Sequence, residues 1–224
     1  MSDGVKLAGL AGLFSIALGI VALPVDQMWT FPGTGATAGE VAAFARENRP
    51  ELFVAMALNT IAVGLWLVFG AGVWLRLRQF ASGESILPAC FLAGLVGFVT
   101  LLLAGFTVFF LLVYLAPAAP EPRLLYDLSF ALLAVSGIPT ALALGSYAAL
   151  AFQPNPLPRW TAWLATLAAL AHLLLIASLA IRSGFFSLDG GVTIAIPATL
   201  FAWIAGMSSV MAMSPRSVGP KSTI

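Results

Sequence analysis

The sequence predicts an all-α, polytopic integral membrane protein: a bundle of six transmembrane helices with a short extra helix in the first outer loop. Three observations carry this. Hydrophobic residues make up 61% of the chain and charged residues only 8%, whereas a soluble domain carries about 25% charged residues. Mean hydropathy is +1.03, and a chain of 224 residues this apolar cannot hide its side chains in one water-soluble core. The apolar residues also fall into runs long enough to cross a hydrocarbon layer about 30 Å thick, which takes about 20 helical residues.

The first span covers residues 6–25 and is closed by Pro24 and Asp26. Ala8, Gly12, Ser15 and Gly19 recur along it at helical spacing, a small-residue face that lets another helix approach closely. The polar connection that follows holds Trp29 and Phe31, side chains suited to a membrane interface. Thr37 and Glu40 have the spacing of a capping box, so a short helix is expected from Ala38 to about Glu47. Its Val41 and Phe44 share a face that would lie on the membrane or cover the bundle mouth.

The second span covers residues 50–75, opens on Pro50, and contains Asn59 and Thr60. Proline is tolerated in a first helical turn because that N–H has no intrahelical partner. The third span, residues 88–115, exceeds the crossing length and so predicts a tilt. Pro117, Pro120 and Pro122 then predict an extended connection. The fourth span, residues 124–152, carries Ser136-Gly137-Ile138-Pro139-Thr140 at its middle. Pro139 removes one backbone hydrogen bond, which predicts a kink, and the Ser136 and Thr140 hydroxyls can satisfy carbonyls there. The fifth span runs from 158 to 182 and the sixth from 192 to 213, leaving residues 214–224 as a flexible polar tail.

Loop charges orient the spans. With both termini on one side, that side holds Lys6, Arg76, Arg78, Arg159, Arg216 and Lys221; the other holds Arg46, Arg49, Arg123 and Arg182. The bias predicts both termini in the cytoplasm. The net charge of +1 gives no footprint for nucleic acid, which needs a basic patch.

His172, the one histidine, falls near the middle of the fifth span, about 18 Å past Trp160 at a rise of about 1.5 Å per residue. An ionisable group at that depth marks a candidate functional site. Counting removes most chemistries. One histidine, one cysteine and no acidic residue in the middle of a span supply neither the ligands of a zinc site nor a bis-histidine haem, so no metal, cofactor or catalytic residue is expected. His172, Asn59, Ser136 and Thr140 remain as candidate ligand-binding residues. The bland reading of each is an interhelical hydrogen bond.

Leu157-Pro158-Arg159-Trp160, after a short turn and opening the penultimate span, resembles a bacterial membrane-protein family of unknown function, the domain-of-unknown-function 4386 family. The first-span glycine pattern, the long first outer loop and the arginine-bearing loop after the second span extend the resemblance. It implies six helices in a bacterial inner membrane and brings no activity. Ser136-Gly137 in the fourth span, with His172, is also similar to the rhomboid arrangement. However, Ala134 stands where the rhomboid GxSG motif has glycine, and the rhomboid histidine lies on the sixth span.

Three functions follow. The first is a non-enzymatic interaction or accessory subunit, its small-residue faces docking on a membrane-protein partner or a second copy. The alternative is binding or transport of a small apolar or lipidic ligand in a cavity between the helices. A minor alternative is an intramembrane hydrolase using Ser136 and His172.

Overall fold

A computed structural model describes residues 3–26, 30–33, 35–116, 118–154, 157–188 and 190–213. Trp29, Pro117 and the tail 214–224, for which expectations are given above, lie outside them. The described residues are helical, with no strand among them. The helices are α1 (Asp3–Ala22), α2 (Ala38–Glu47), α3 (Arg49–Phe80), α4 (Leu87–Leu115), α5 (Pro122–Val135), α6 (Gly137–Ala151), α7 (Arg159–Leu174) and α8 (Val192–Met213). Among the described residues, six helical segments are long and apolar enough to cross a membrane, counting α5 with α6 as one and α7 with the turn after it as another.

Packing follows from where the chain is small. On α1, a Cβ added at Gly9 would stand 2.8 Å from the Ser208 carbonyl oxygen and the Ala212 nitrogen of α8, and one added at Gly12 would collide with Ser208 Oγ. The small-residue face therefore lets α8 lie directly against the backbone of α1. Gly94 of α4 does the same for α6, its Cβ position being 2.6 Å from the Pro139 oxygen and the Ala143 nitrogen. Large side chains fill what remains of this half of the bundle. Trp203 meets Phe69 edge-on at 5.6 Å and Tyr147 at 5.0 Å, and Tyr147 Oη bonds to Thr161 Oγ1 at 2.6 Å.

The opposite half is closed differently. The Thr37 capping box forms, with the Thr37 N–H donating to Glu40 Oε2 at 2.6 Å and the Glu40 N–H to Thr37 Oγ1 at 3.3 Å. Val41 and Phe44 of α2 are buried on Leu52, Phe109, Leu112 and Tyr126, so α2 covers the bundle mouth. Arg123 at the start of α5 pins the preceding loop, donating from Nη1 to the carbonyls of Gly33 (2.9 Å) and Ala36 (3.1 Å). Tyr126 Oη donates to the Pro32 carbonyl at 2.9 Å.

Four expectations change in detail. The helix of the second span continues to Phe80, and Arg76, expected in a loop, is 7% exposed on it. Residues 118–121 bend instead of staying extended. Glu121, between two prolines, takes a left-handed φ of 48°, a conformation costing about 1–2 kcal/mol in an L-residue. The α-helix of the fifth span stops at Leu174 and tightens into a 3-10 turn over Leu175–Leu179. Phe31, expected at the interface, packs among Phe44, Phe109 and Phe130 at 5.6–5.9 Å between ring centroids.

Candidate ligand cavity

The helix break in the fourth span and the end of α7 meet. Pro139 has no N–H to give to the preceding turn, and the helix divides at Ser136. Two side chains bond carbonyls at that break: Thr140 Oγ1 donates to the Ser136 carbonyl at 2.7 Å, and Ser136 Oγ donates to Leu133 at 2.6 Å. Gly137, freed of a Cβ by its sequence, lies against the His172 carbonyl of α7. That carbonyl accepts from the Leu175 N–H, a three-residue bond that begins the tighter turn.

Beside this junction is a cavity of about 210 Å³, lined from α1, α3, α4, α5, α7, α8 and the first outer loop. His172, Ser136 and Asn59 all line it, and so does Asp26. Thr140 does not. It faces a separate space of about 10 Å³ in the packed half, across the stacked pair Trp66–Phe98, whose rings are 5.5 Å apart and 14° from parallel. Trp66 is held by its indole N–H, which donates to Ser15 Oγ at 2.9 Å. This pair is the floor. Phe31, with the strap held by Arg123 and Tyr126, forms the roof.

The cavity reaches the surface where α1 and α8 part. They touch at Gly9 and Gly12, but nothing lies within 4 Å of a Cβ added at Gly19, one turn from the end of α1. Leu23 and Phe201 line the cavity and are nevertheless 47% and 38% exposed.

The expected interhelical bond of His172 is not what forms. The ring is 2% exposed, and Nδ1 bonds to the Ala168 carbonyl one turn back on the same helix at 2.8 Å. Among the described residues no hydrogen bond joins His172 to Ser136, whose hydroxyl hydrogen goes to Leu133. A serine nucleophile is activated by a base within hydrogen-bond reach, and in this arrangement the Ser136 proton goes to a carbonyl instead. No group of three metal-ligating side chains occurs among the described residues.

Asp26 lies past the end of the first span in the sequence, outside the candidate residues. The structure turns it back under the strap, with Asn59 beside its carboxyl group. One carboxyl oxygen, Oδ1, is buried without a hydrogen-bond partner. Burial pushes the carboxyl up to about 6 from an ordinary 3.8, and the neighbouring Asn59 amide opposes that shift. The Pro24-Val25-Asp26 ending of an apolar run was the available signal, but which way the chain turns after Pro24 was not.

No protein-family model, curated protein or solved structure matches the chain.

Proposed function

We propose that the protein binds a small apolar or lipidic ligand in this cavity, taking it up sideways from the membrane between α1 and α8. The observation that carries this reading is convergence: three of the polar side chains singled out within the spans, together with Asp26, line one space instead of facing three separate neighbours. Interhelical glue would be spent on other helices. Here His172 Nδ1 and the Ser136 hydroxyl are satisfied within their own helices, which leaves His172 Nε2 and the Ser136 lone pairs to the cavity. An apolar pocket with a few convergent polar groups is the usual form of a small-molecule site.

The small-residue face that an accessory subunit would offer to a partner is occupied here by α8. The lysine–arginine bias supports a cytoplasmic location for both termini, and the resemblance to the bacterial family supports an inner membrane. In that orientation the mouth faces the outer leaflet. A green fluorescent protein fused to the C-terminus would then be fluorescent, and a dark, exported fusion would reverse the assignment.

Native mass spectrometry of the gently purified protein tests the binding itself. A discrete apolar mass is expected on the wild type and absent from Gly19→Trp, whose indole would project into the mouth. A clean apoprotein, or identical adducts on both, would refute the reading.

A further inference from the structure

Most hydrogens of the described polar groups around the cavity are already committed. Ser129, Ser136 and Thr193 donate theirs to the carbonyls of Tyr126 (2.7 Å), Leu133 (2.6 Å) and Gly190 (2.7 Å). The Trp66 N–H is spent on Ser15. A carbonyl only accepts, so the bond between His172 and Ala168 places the ring proton on Nδ1. The neutral imidazole therefore presents the lone pair of Nε2. Asp26 adds a carboxylate oxygen with no partner. The Asn59 amide, which lines the cavity beside Asp26, is the exception.

The space is thus rich in lone pairs and poor in donors, and it carries one formal negative charge. Among the described residues lining it there is no lysine or arginine. A buried carboxylate without a counter-ion is costly, and Phe31, Phe106, Phe109 and Phe130 also line the cavity. Carboxylate or phosphate headgroups would meet like charge and acceptors only. A cation bearing N–H groups meets acceptors, a counter-ion and aromatic rings, which attract cations.

We propose that the ligand is a lipophilic amine, bound as its ammonium with the nitrogen at Asp26 and its apolar body directed toward Trp66 and Phe98. This rests on the cavity being a ligand site, and it adds the ligand's charge and hydrogen-bond polarity. A neutral alcohol would supply a donor without the charge, and a matched set of probes separates the two.

Isothermal titration of the full chain in micelles at neutral pH, with phenylbutylamine, phenylbutanol and phenylbutyrate, is the test. The amine should bind most tightly and the acid not at all. Asp26→Asn, nearly isosteric, should weaken the amine by about 10- to 100-fold, the range for losing a charged hydrogen-bond partner, and leave the alcohol unchanged. Gly19→Trp should abolish amine and alcohol binding while the thermal midpoint is retained. Equal binding of amine and alcohol, both insensitive to Asp26→Asn but lost in Gly19→Trp, would overturn the amine assignment and leave the cavity standing. Failure of every probe to bind, or binding indifferent to Gly19→Trp, would remove both.

Discussion

Asp26 and His172 are the titratable residues lining the cavity among those described, and they differ in how visible they were. A lone histidine in an apolar run stands out from composition, so His172 could be placed near mid-membrane by counting residues. Its hydrogen-bond partner could not, because a bond to Ala168 and a bond across helices leave the same sequence. Asp26 looked like an ordinary loop acid, and its environment depends on a turn after Pro24 that no periodicity encodes. Its carboxyl, raised by burial to about 6, has a stability consequence. Between about pH 4 and pH 6 the folded state holds a proton that the unfolded chain has released, so stability falls as pH rises through that window and levels off above it. Asp26→Asn is expected to flatten this segment of the pH–stability curve and to raise the thermal midpoint at pH 7.5. An unchanged curve would place the carboxyl in water.

At the scale of helices, the hydropathy pattern and the turn residues located the elements well, because a membrane span must satisfy its backbone internally over a length set by the bilayer. The capping box of α2 was legible for a similarly local reason: both of its bonds lie within four residues. What failed was the end of α7, where the tightening after His172 lies against Gly137 from another span. The glycine stripe of α1 was legible as a contact face, but the division of labour along it was not. Gly12 is jammed against Ser208 and Phe69, while Gly19 faces open space. Gly12→Val should therefore cost about 1–3 kcal/mol of stability, the range for overpacking a tight site, with Gly19→Val close to neutral. Thermal unfolding in detergent compares them, and equal losses would mean that α1 and α8 stay in contact along their whole length.

At the scale of the whole molecule, six spans were countable, but their neighbours were not. Lipid-facing and helix-facing side chains are equally apolar in a membrane protein, so composition does not reveal which faces meet. Leu7, Leu10, Trp163 and Leu167 are 55–65% exposed, yet they read no differently from the buried Leu52 and Trp203. The cavity exists because α1 and α8 are tied at Gly9 and Gly12 and spread beyond, a property of two helices distant in sequence. Photolabelling the protein in liposomes with a neutral aryl-diazirine alcohol, followed by peptide mapping, tests this arrangement most directly. The labels should concentrate on residues 19–26 and 197–201 and disappear from both in Gly19→Trp. Labels spread over Leu7, Leu10, Trp163 and Leu167, and unchanged by that substitution, would contradict a ligand cavity between α1 and α8.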